Sequence, residues 1–501
     1  MLFVHGSAEM YGSDKVLLNI AAALARGAEF SPVVVLHENG PLRVSLEAAG
    51  VETHVAQVVK VTRAMLSPRA PLQLWRQARL ALRDLDRIVA GRAVALVHSN
   101  TLAVLGGALW ARRRRQPHLW HVHEIILKPA PVRRLLPWLA DKLSQRVIAN
   151  SEPTLQWLLA QAPRLRPRTV VVFNGIAEVP AADAVAATAA SAFRARVGAQ
   201  PGDVLATVAG RLNHWKGQGL LIDALALLRQ QQRLGPLRLA IVGSVFAGHD
   251  DIRAALVAQV AERGLHDRVA FVEFVDDIYP VWRGSEIAVV PSLEPEPFGM
   301  VAIEAMACGL PVLAAGHGGL LDIVRDGQTG LLFAPRDASA LADALHRLAG
   351  DAALRNRLGQ AGAQRQRECF SVRQQVEATQ ALYRTMAVRE CARGASWALA
   401  GCRPRTADSR PSPNGSRCTS SGAAGAWWST ARTRATAPLS RTSGRASSGS
   451  AYRAAPTRRR TPSSSTGVRH DTPHAAVIFA SRWATTRPCS ACCCAPRACR
   501  T

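Results

Sequence analysis

The stretch PSLEPEPFGMVAIEAMACGLPV, residues 291–312, carries, beside Glu294, a pair of acids, Glu296 and Glu304, with seven residues between them. A Pro-Phe-Gly turn at 297–299 separates the first acid from a helical run, and Leu310-Pro311-Val312 opens an apolar strand. At about 3.6 residues per turn, Glu296 falls in the loop before the helix and Glu304 about one and a half turns inside it. A turn followed by a helix can aim both carboxylates into one cleft. Carboxylates so aimed suit hydrogen bonds to the hydroxyls of a ribose or a hexose.

On both sides of this stretch, short Val/Ile/Leu-rich runs alternate with amphipathic helical segments. Strands are expected at 1–5, 32–37, 51–55, 93–98, 118–123, 146–150 and 169–173, with helices such as 13–26, 71–90, 101–115 and 131–145 between them. A second series of strands is expected at 204–209, 238–243, 268–272, 286–291, 311–315 and 329–333. Such alternation predicts an α/β protein with two doubly wound parallel sheets, each covered on both faces. The alanine-rich stretch 176–202, with Pro180, Pro201 and Gly202, reads as a linker containing a helix. It divides a first lobe at 1–175 from a second at 203–370. Segments 338–349, 351–368 and 371–386 read as helices.

The 501 residues suffice for two or three domains. A net charge of +26 invites a nucleic-acid reading, but its distribution argues against one. Residues 388–501 hold 19 arginines, no lysine and three acids, and so carry +16 of that charge. Hydrophobic periodicity stops there, and Arg, Ser, Ala, Thr, Pro and Gly dominate. A segment of this kind cannot bury enough apolar surface to offset its ordering entropy. With Trp427-Trp428 and eight of the ten cysteines, it has the composition of an out-of-frame reading of a GC-rich gene. The alternative is a disordered basic tail touching anionic lipid or nucleic acid. The two earlier cysteines, Cys308 and Cys369, suit a reducing cytoplasm. Cys308 reads as a small apolar residue on a buried helix. No signal peptide and no run of 18 apolar residues is visible, which predicts a cytoplasmic protein.

The segment AGRLNHWKGQGLLIDAL, residues 209–225, follows a strand and opens a helix. Arg211 and Lys216 flank the turn between them. A diphosphate needs positive charge and exposed amides, and a helix N-terminus supplies part of both.

These two stretches resemble the signatures of retaining glycosyltransferases, above all family 4, which have the two-lobed GT-B fold. Matching segments run in the expected order over about residues 1–386. The resemblance implies that Arg211 and Lys216 grip the diphosphate of a nucleotide-sugar donor. It implies that Glu304 holds the ribose and Glu296 the sugar hydroxyls, with Phe298, Gly299, Met300 and Val301 lining the donor site. In EMYGSDKVLLNIAAAL (9–24) the family's glycine loop faces the donor phosphates. Many relatives have two adjacent glycines there. This chain has Tyr11-Gly12, so Gly12 alone is carried over and Tyr11 shapes the acceptor side. Ser13 is the expected helix N-cap.

In LWHVHEIIL (119–127), His123-Glu124 resembles the family's His-acid step, which puts His123 beside the donor sugar. His121 is expected on the opposite face and structural. In TVVVFNGI (169–176), Asn174 and Gly175 shape the hinge and cleft edge, with a plain Asn-Gly turn as the alternative for Asn174. Val275 and Asp276, in FVEFVDDIYPVW (271–282), fall where the family lines the nucleotide base. Gly318 and Gly319, in GHGGLLDIV (316–324), resemble a loop whose amides face phosphate or sugar oxygens. Asp322 departs from the family's usual Glu. The family's last helix crosses back onto the first lobe, and 371–387 would do so here.

The resemblance implies transfer of a hexosyl unit from a nucleotide-diphosphate sugar to a glycan or lipid-linked acceptor, with retention, in polysaccharide biosynthesis. The leaving phosphate would help deprotonate the acceptor, so no protein nucleophile is needed. GT-B enzymes generally use cations and helix ends, so neither cofactor nor metal is expected. LWARRRRQPH (109–118) and PAPVRRLLPWLADKL (129–143) mix basic and apolar residues. They suit an anionic membrane surface, the inner face of the cytoplasmic membrane; solvated helix ends are the alternative. Three other readings stand beside the transferase. They are a nucleotide-sugar 2-epimerase on a similar fold, a non-catalytic sugar-nucleotide binder, and a nucleic-acid binder pointed to by the tail alone.

Overall fold

The computed structural model describes residues 1–61, 70–181, 183–246 and 248–401, with backbone alone at 70–71 and 388–401. The first sheet comprises β1 (Leu2–His5), β2 (Val33–Leu36), β3 (Glu52–Val55), β4 (Val97–Asn100), β5 (His118–Val122), β6 (Arg146–Ala149) and β7 (Thr169–Val171), ordered β3-β2-β1-β4-β5-β6-β7. The second comprises β8 (Val204–Ala209), β9 (Leu237–Val242), β10 (Val269–Val272), β11 (Ile287–Val290), β12 (Val312–Ala315) and β13 (Gly330–Phe333), ordered β10-β9-β8-β11-β12-β13. Neighbouring strands pair in parallel in both sheets. Helices cover both faces, so runs such as Ile287–Val290 are buried along their whole length. In each sheet the winding reverses once, at β1/β4 and at β8/β11. Open α/β sheets bind ligands beyond the strand ends at such reversals.

One strand departs from the expectation. The fourth lies at 97–100 rather than 93–98, and the helix after it starts at Gly106 rather than 101. His98, Ser99 and Asn100 are polar but fully buried, and they bond inside the lobe. An apolar reading stops before them.

The linker is less separate than expected. Its helix, Ala184–Arg196, buries Phe193 against the second lobe's core, which includes Trp282. Arg194 bonds Glu286 of that lobe at 2.7 Å.

Residues 370–386 run from the second lobe's core to the first lobe's. Phe370 is buried in the second lobe's core, whereas Tyr383 and Met386 are buried in the first lobe's. The Tyr383 hydroxyl meets His98 Nδ1 at 2.6 Å. Ile176 N–H donates to the Phe370 carbonyl and Val372 N–H to the Ile176 carbonyl, both at 3.0 Å, so the two interlobe passages run side by side. The helix Val372–Gly401 continues past the expected boundary at 387. The remainder of the expected tail, from 402 on, lies outside the described residues. Among the described residues, no helix is long and apolar enough to cross a membrane.

Candidate active site

Strands β1 and β4 end at the first reversal, with His5 and Asn100 in register. His5 Nε2 lies 2.5 Å from Asp14 Oδ1, and Nδ1 lies 2.9 Å from the Asn100 carbonyl. Asp14 is fully buried in the first turn of the helix Gly12–Arg26. Its other oxygen accepts the Tyr11 N–H at 2.9 Å. Tyr11, not Ser13, is therefore the N-cap residue, and the Asp14 carboxylate reaches back to its amide. A buried carboxylate here anchors the whole 7–14 loop to the sheet.

Asn100 faces the other way as well. Its Nδ2 donates to the Ser13 carbonyl at 3.0 Å, so its Oδ1 is the atom 3.0 Å from His123 Nε2. Burial holds His123 well below the usual imidazole range, with His121 and His5 adding to the effect. The neutral ring thus carries its proton on Nε2 and keeps Nδ1 as an acceptor. The His123 N–H donates to the Glu124 carboxylate at 3.0 Å, and the Leu102 N–H does so at 3.2 Å. Glu124, raised by burial, fixes the strand end that carries the histidine. His121 corrects the sequence reading. Its ring centroid is 4.0 Å from that of His123, because residues two apart on a strand share a face.

The second reversal holds the expected cations and acids. Lys216 Nζ lies 2.6 Å from Glu296 Oε1, which also accepts the Ser292 hydroxyl at 2.6 Å. Glu296 is only 4% exposed. The Leu293 N–H donates to the Trp215 carbonyl at 2.7 Å and ties the two loops together. Gly217 has φ +78°, and a Cβ there would sit 1.9 Å from the Pro291 carbonyl oxygen. Only glycine lets the Lys216 loop pass that close.

The two lobes meet across the cleft. Glu304, 6% exposed in the helix Met300–Ala307, lies 3.2 Å from Lys15 Nζ of the first lobe. Burial raises its carboxyl, and Lys15 opposes the rise. The Arg211 guanidinium carbon is 3.8 Å from the Tyr11 ring centroid and 3.4 Å from that of Phe246. Gly12 sits against Met300, since a Cβ on Gly12 would come within 3.3 Å of Met300 Cγ. Two helix N-termini, each the positive end of its dipole, therefore approach one another here. Farther along, the Ser151 hydroxyl bonds the Pro297 carbonyl at 2.5 Å, and the Glu152 N–H bonds Asp322 at 2.7 Å.

Several expected donor residues do other work. The Phe298 ring is buried between Phe173 and Phe370 and packs the lobe rather than lining the cleft. The Gly319 N–H donates to the Glu296 carbonyl at 2.7 Å, so that amide supports the acid's loop. Gly318 has φ +60°, with a Cβ placed 2.4 Å from the same carbonyl oxygen. Gly299 precedes the Glu304 helix, whose Met300 and Val301 are half-buried. Asn174 is 3.5 Å from Gln375 Nε2 of the crossover helix, so it serves the hinge. Val275 is half-buried and Asp276 exposed in the loop after β10. Tyr279, three residues beyond Asp276, is pushed up to about 12 by burial and then by the Glu304 charge, which puts this loop near the second acid. His5, Asp14, Lys15, Asn100 and Ser292 are the residues the sequence reading missed.

Family models match both lobes: Glycosyltransferase Family 4 over residues 11–178 and Glycosyl transferases group 1 over 190–365. The chain belongs to the family 4 glycosyltransferases. Similar proteins include the D-inositol 3-phosphate glycosyltransferase of Nocardia farcinica, 39% identical over 171 residues, which are 34% of this chain and 38% of that protein. The Frankia alni enzyme of the same name is 41% identical over 175 residues, 34% of this chain and 42% of that protein. The chain thus spans about two fifths of the length of the curated relatives it matches. Among solved structures, Anabaena Alr3699/HepE in complex with UDP-glucose superposes with a TM-score of 0.64 at 25% identity, covering 77% of this chain and all of that one. Sucrose-phosphate synthase of Thermosynechococcus elongatus gives 0.60 at 22% identity over 78% of this chain and all of that one, a likeness of fold alone.

Proposed function

We propose that the chain transfers a hexosyl unit from a nucleoside-diphosphate sugar to a glycan or lipid-linked acceptor, with retention of anomeric configuration. The observation that carries this is the 2.6 Å contact of Lys216 with Glu296, beside Arg211, at the second sheet's reversal. Preorganised cations stabilise a leaving diphosphate, and a nearly buried carboxylate reads sugar hydroxyls. On this reading His123 accepts a hydrogen bond from a sugar hydroxyl through Nδ1, Glu304 holds the ribose, and no metal is required. The HepE complexes with UDP and UDP-glucose make UDP-glucose the first donor to test. Lobe closure excludes water and limits hydrolysis of the donor.

The acceptor would be met at a membrane. On the helix Ala130–Leu143, Leu135 and Trp138 are exposed near Arg133 and Arg134, and residues 112–115 present four exposed arginines. Such a surface suits anionic headgroups at the inner face of the cytoplasmic membrane. Flotation with anionic vesicles tests this, and protein left at the bottom of the gradient removes it.

The reaction is tested by incubating the full chain with UDP-, GDP- and ADP-hexoses, with and without an extract of lipid-linked glycans. Release of nucleoside diphosphate that depends on the extract, with a product of unchanged anomeric configuration by NMR, is expected. Conversion of the donor to its 2-epimer without acceptor would mark an epimerase. Binding without turnover under all conditions would mark a non-catalytic protein.

A further inference from the structure

We infer that Lys15 is a further donor-binding residue, the cation through which the first lobe contacts the nucleotide's phosphate. The inference rests on the donor reading above and extends it to a residue of the 9–24 segment to which the resemblance gave no role.

Lys15 lies in the first turn of the helix that opens at Gly12. Its ammonium is 3.2 Å from Glu304 Oε1, and among the described residues Glu304 is its one ion-pair partner. The side chain is 41% exposed, and among the described residues Glu304 is the ammonium's one hydrogen-bond acceptor, so further N–H donors remain for a ligand. A ribose hydroxyl bonded to Glu304 would lie about 3 Å from that carboxylate. The phosphate on the same ribose then falls within a lysine's reach. A compact ammonium on a flexible stem suits such a target.

Charge balance makes the same point. Lys216 pairs with Glu296 and Lys15 with Glu304, and the buried His5–Asp14 pair is self-contained. With Arg211, Lys15 brings the cleft to three cations against these two carboxylates, at the point where two helix N-termini converge. Without it the cleft offers a diphosphate little net positive charge.

The test titrates UDP, GDP and ADP, and the matching nucleosides, into the full-length wild type and the Lys15→Met, Lys15→Gln, Lys15→Arg and Lys216→Met variants. For the diphosphate the wild type binds best, Lys15→Met and Lys15→Gln should each weaken binding about tenfold. Both should leave nucleoside affinity within about twofold, and Lys15→Arg should retain most of the diphosphate's advantage. If Lys15→Met and Lys15→Gln keep the wild-type preference for diphosphate over nucleoside while Lys216→Met loses it, the inference about Lys15 is wrong and the donor reading stands. If Lys216→Met also keeps that preference, or no diphosphate binds the wild type, the donor reading itself fails and takes the inference with it.

Discussion

Acid should weaken the first lobe through its buried histidines, and His118 gives the cleanest measure. Burial lowers its pKa from 6.5 to about 3, while its Nε2 bonds the Ser99 hydroxyl at 2.9 Å. His98, His121 and His123 are likewise held well below the usual range, chiefly by burial. The sign follows from proton counting. Between pH 6.5 and about 3 the unfolded chain binds the His118 proton and the folded chain does not, so stability is lost as pH falls through that window. From about pH 7.5 to about pH 5.5, the linkage relation makes that loss about 1.4 kcal/mol for His118. His98, His121 and His123 act in the same direction. Glu124 and Glu304, whose carboxyls burial raises, act in the opposite direction. They cancel when wild type is compared with His118→Gln, which keeps a nitrogen donor toward Ser99 but cannot titrate. Urea unfolding followed by tryptophan fluorescence should show the wild type's advantage over the variant shrinking by about 1.4 kcal/mol between the two pH values. An advantage of equal size at both would mean that His118 is protonated in the folded lobe, and the burial argument would be wrong.

Four substitutions probe the cleft and its support. Lys216→Met should lower turnover about 100-fold or more, since one preorganised cation is lost; adding Glu296→Gln should recover stability in urea but not turnover. Gly318→Ala forces a Cβ into the Glu296 loop at a positive φ. It should cost about 1–3 kcal/mol in urea and reduce kcat/KM together with it. Phe298→Ala empties the space between Phe173 and Phe370. Thermal and urea unfolding should register about 3–5 kcal/mol of lost stability, with donor KM nearly unchanged when assayed well below the melting temperature. A large rise in KM there would return Phe298 to the donor site.

Most of the strands were legible because parallel strands buried on both faces are written in uninterrupted apolar residues, as at Val33–Leu36 and Val312–Ala315. The second reversal was legible too, because Arg211, Lys216, Glu296 and Glu304 stand in two compact segments whose loops fold back on their own strands. The first reversal was not. His5, Asp14 and Asn100 come from three separate elements, and no short pattern links a strand-end His to an acid on the next helix and an Asn on the fourth strand. The 97–100 strand hides for a related reason, since its polar residues pay their desolvation through bonds to Tyr383, His118 and Ser13 that lie far away in sequence. The glycines at 318–319 stand out in the sequence as a loop for phosphate or sugar oxygens, whereas the immediate reason for glycine in the structure is a neighbouring backbone that presses against them. His121 shows that even a correct strand assignment misleads when the two-residue period is counted wrongly.

The return of the last helix bears on how the polypeptide is made. Tyr383 and Met386 complete a core begun by Phe3 and Val16. A nascent chain that has only reached its midpoint therefore carries an unfinished first half, with an apolar gap awaiting a plug some two hundred residues downstream. Maturation of the beginning waits on synthesis of the end. A gene cut near residue 181 should then yield two polypeptides that are each insoluble alone yet reassemble when co-expressed, because the second piece brings back the missing plug.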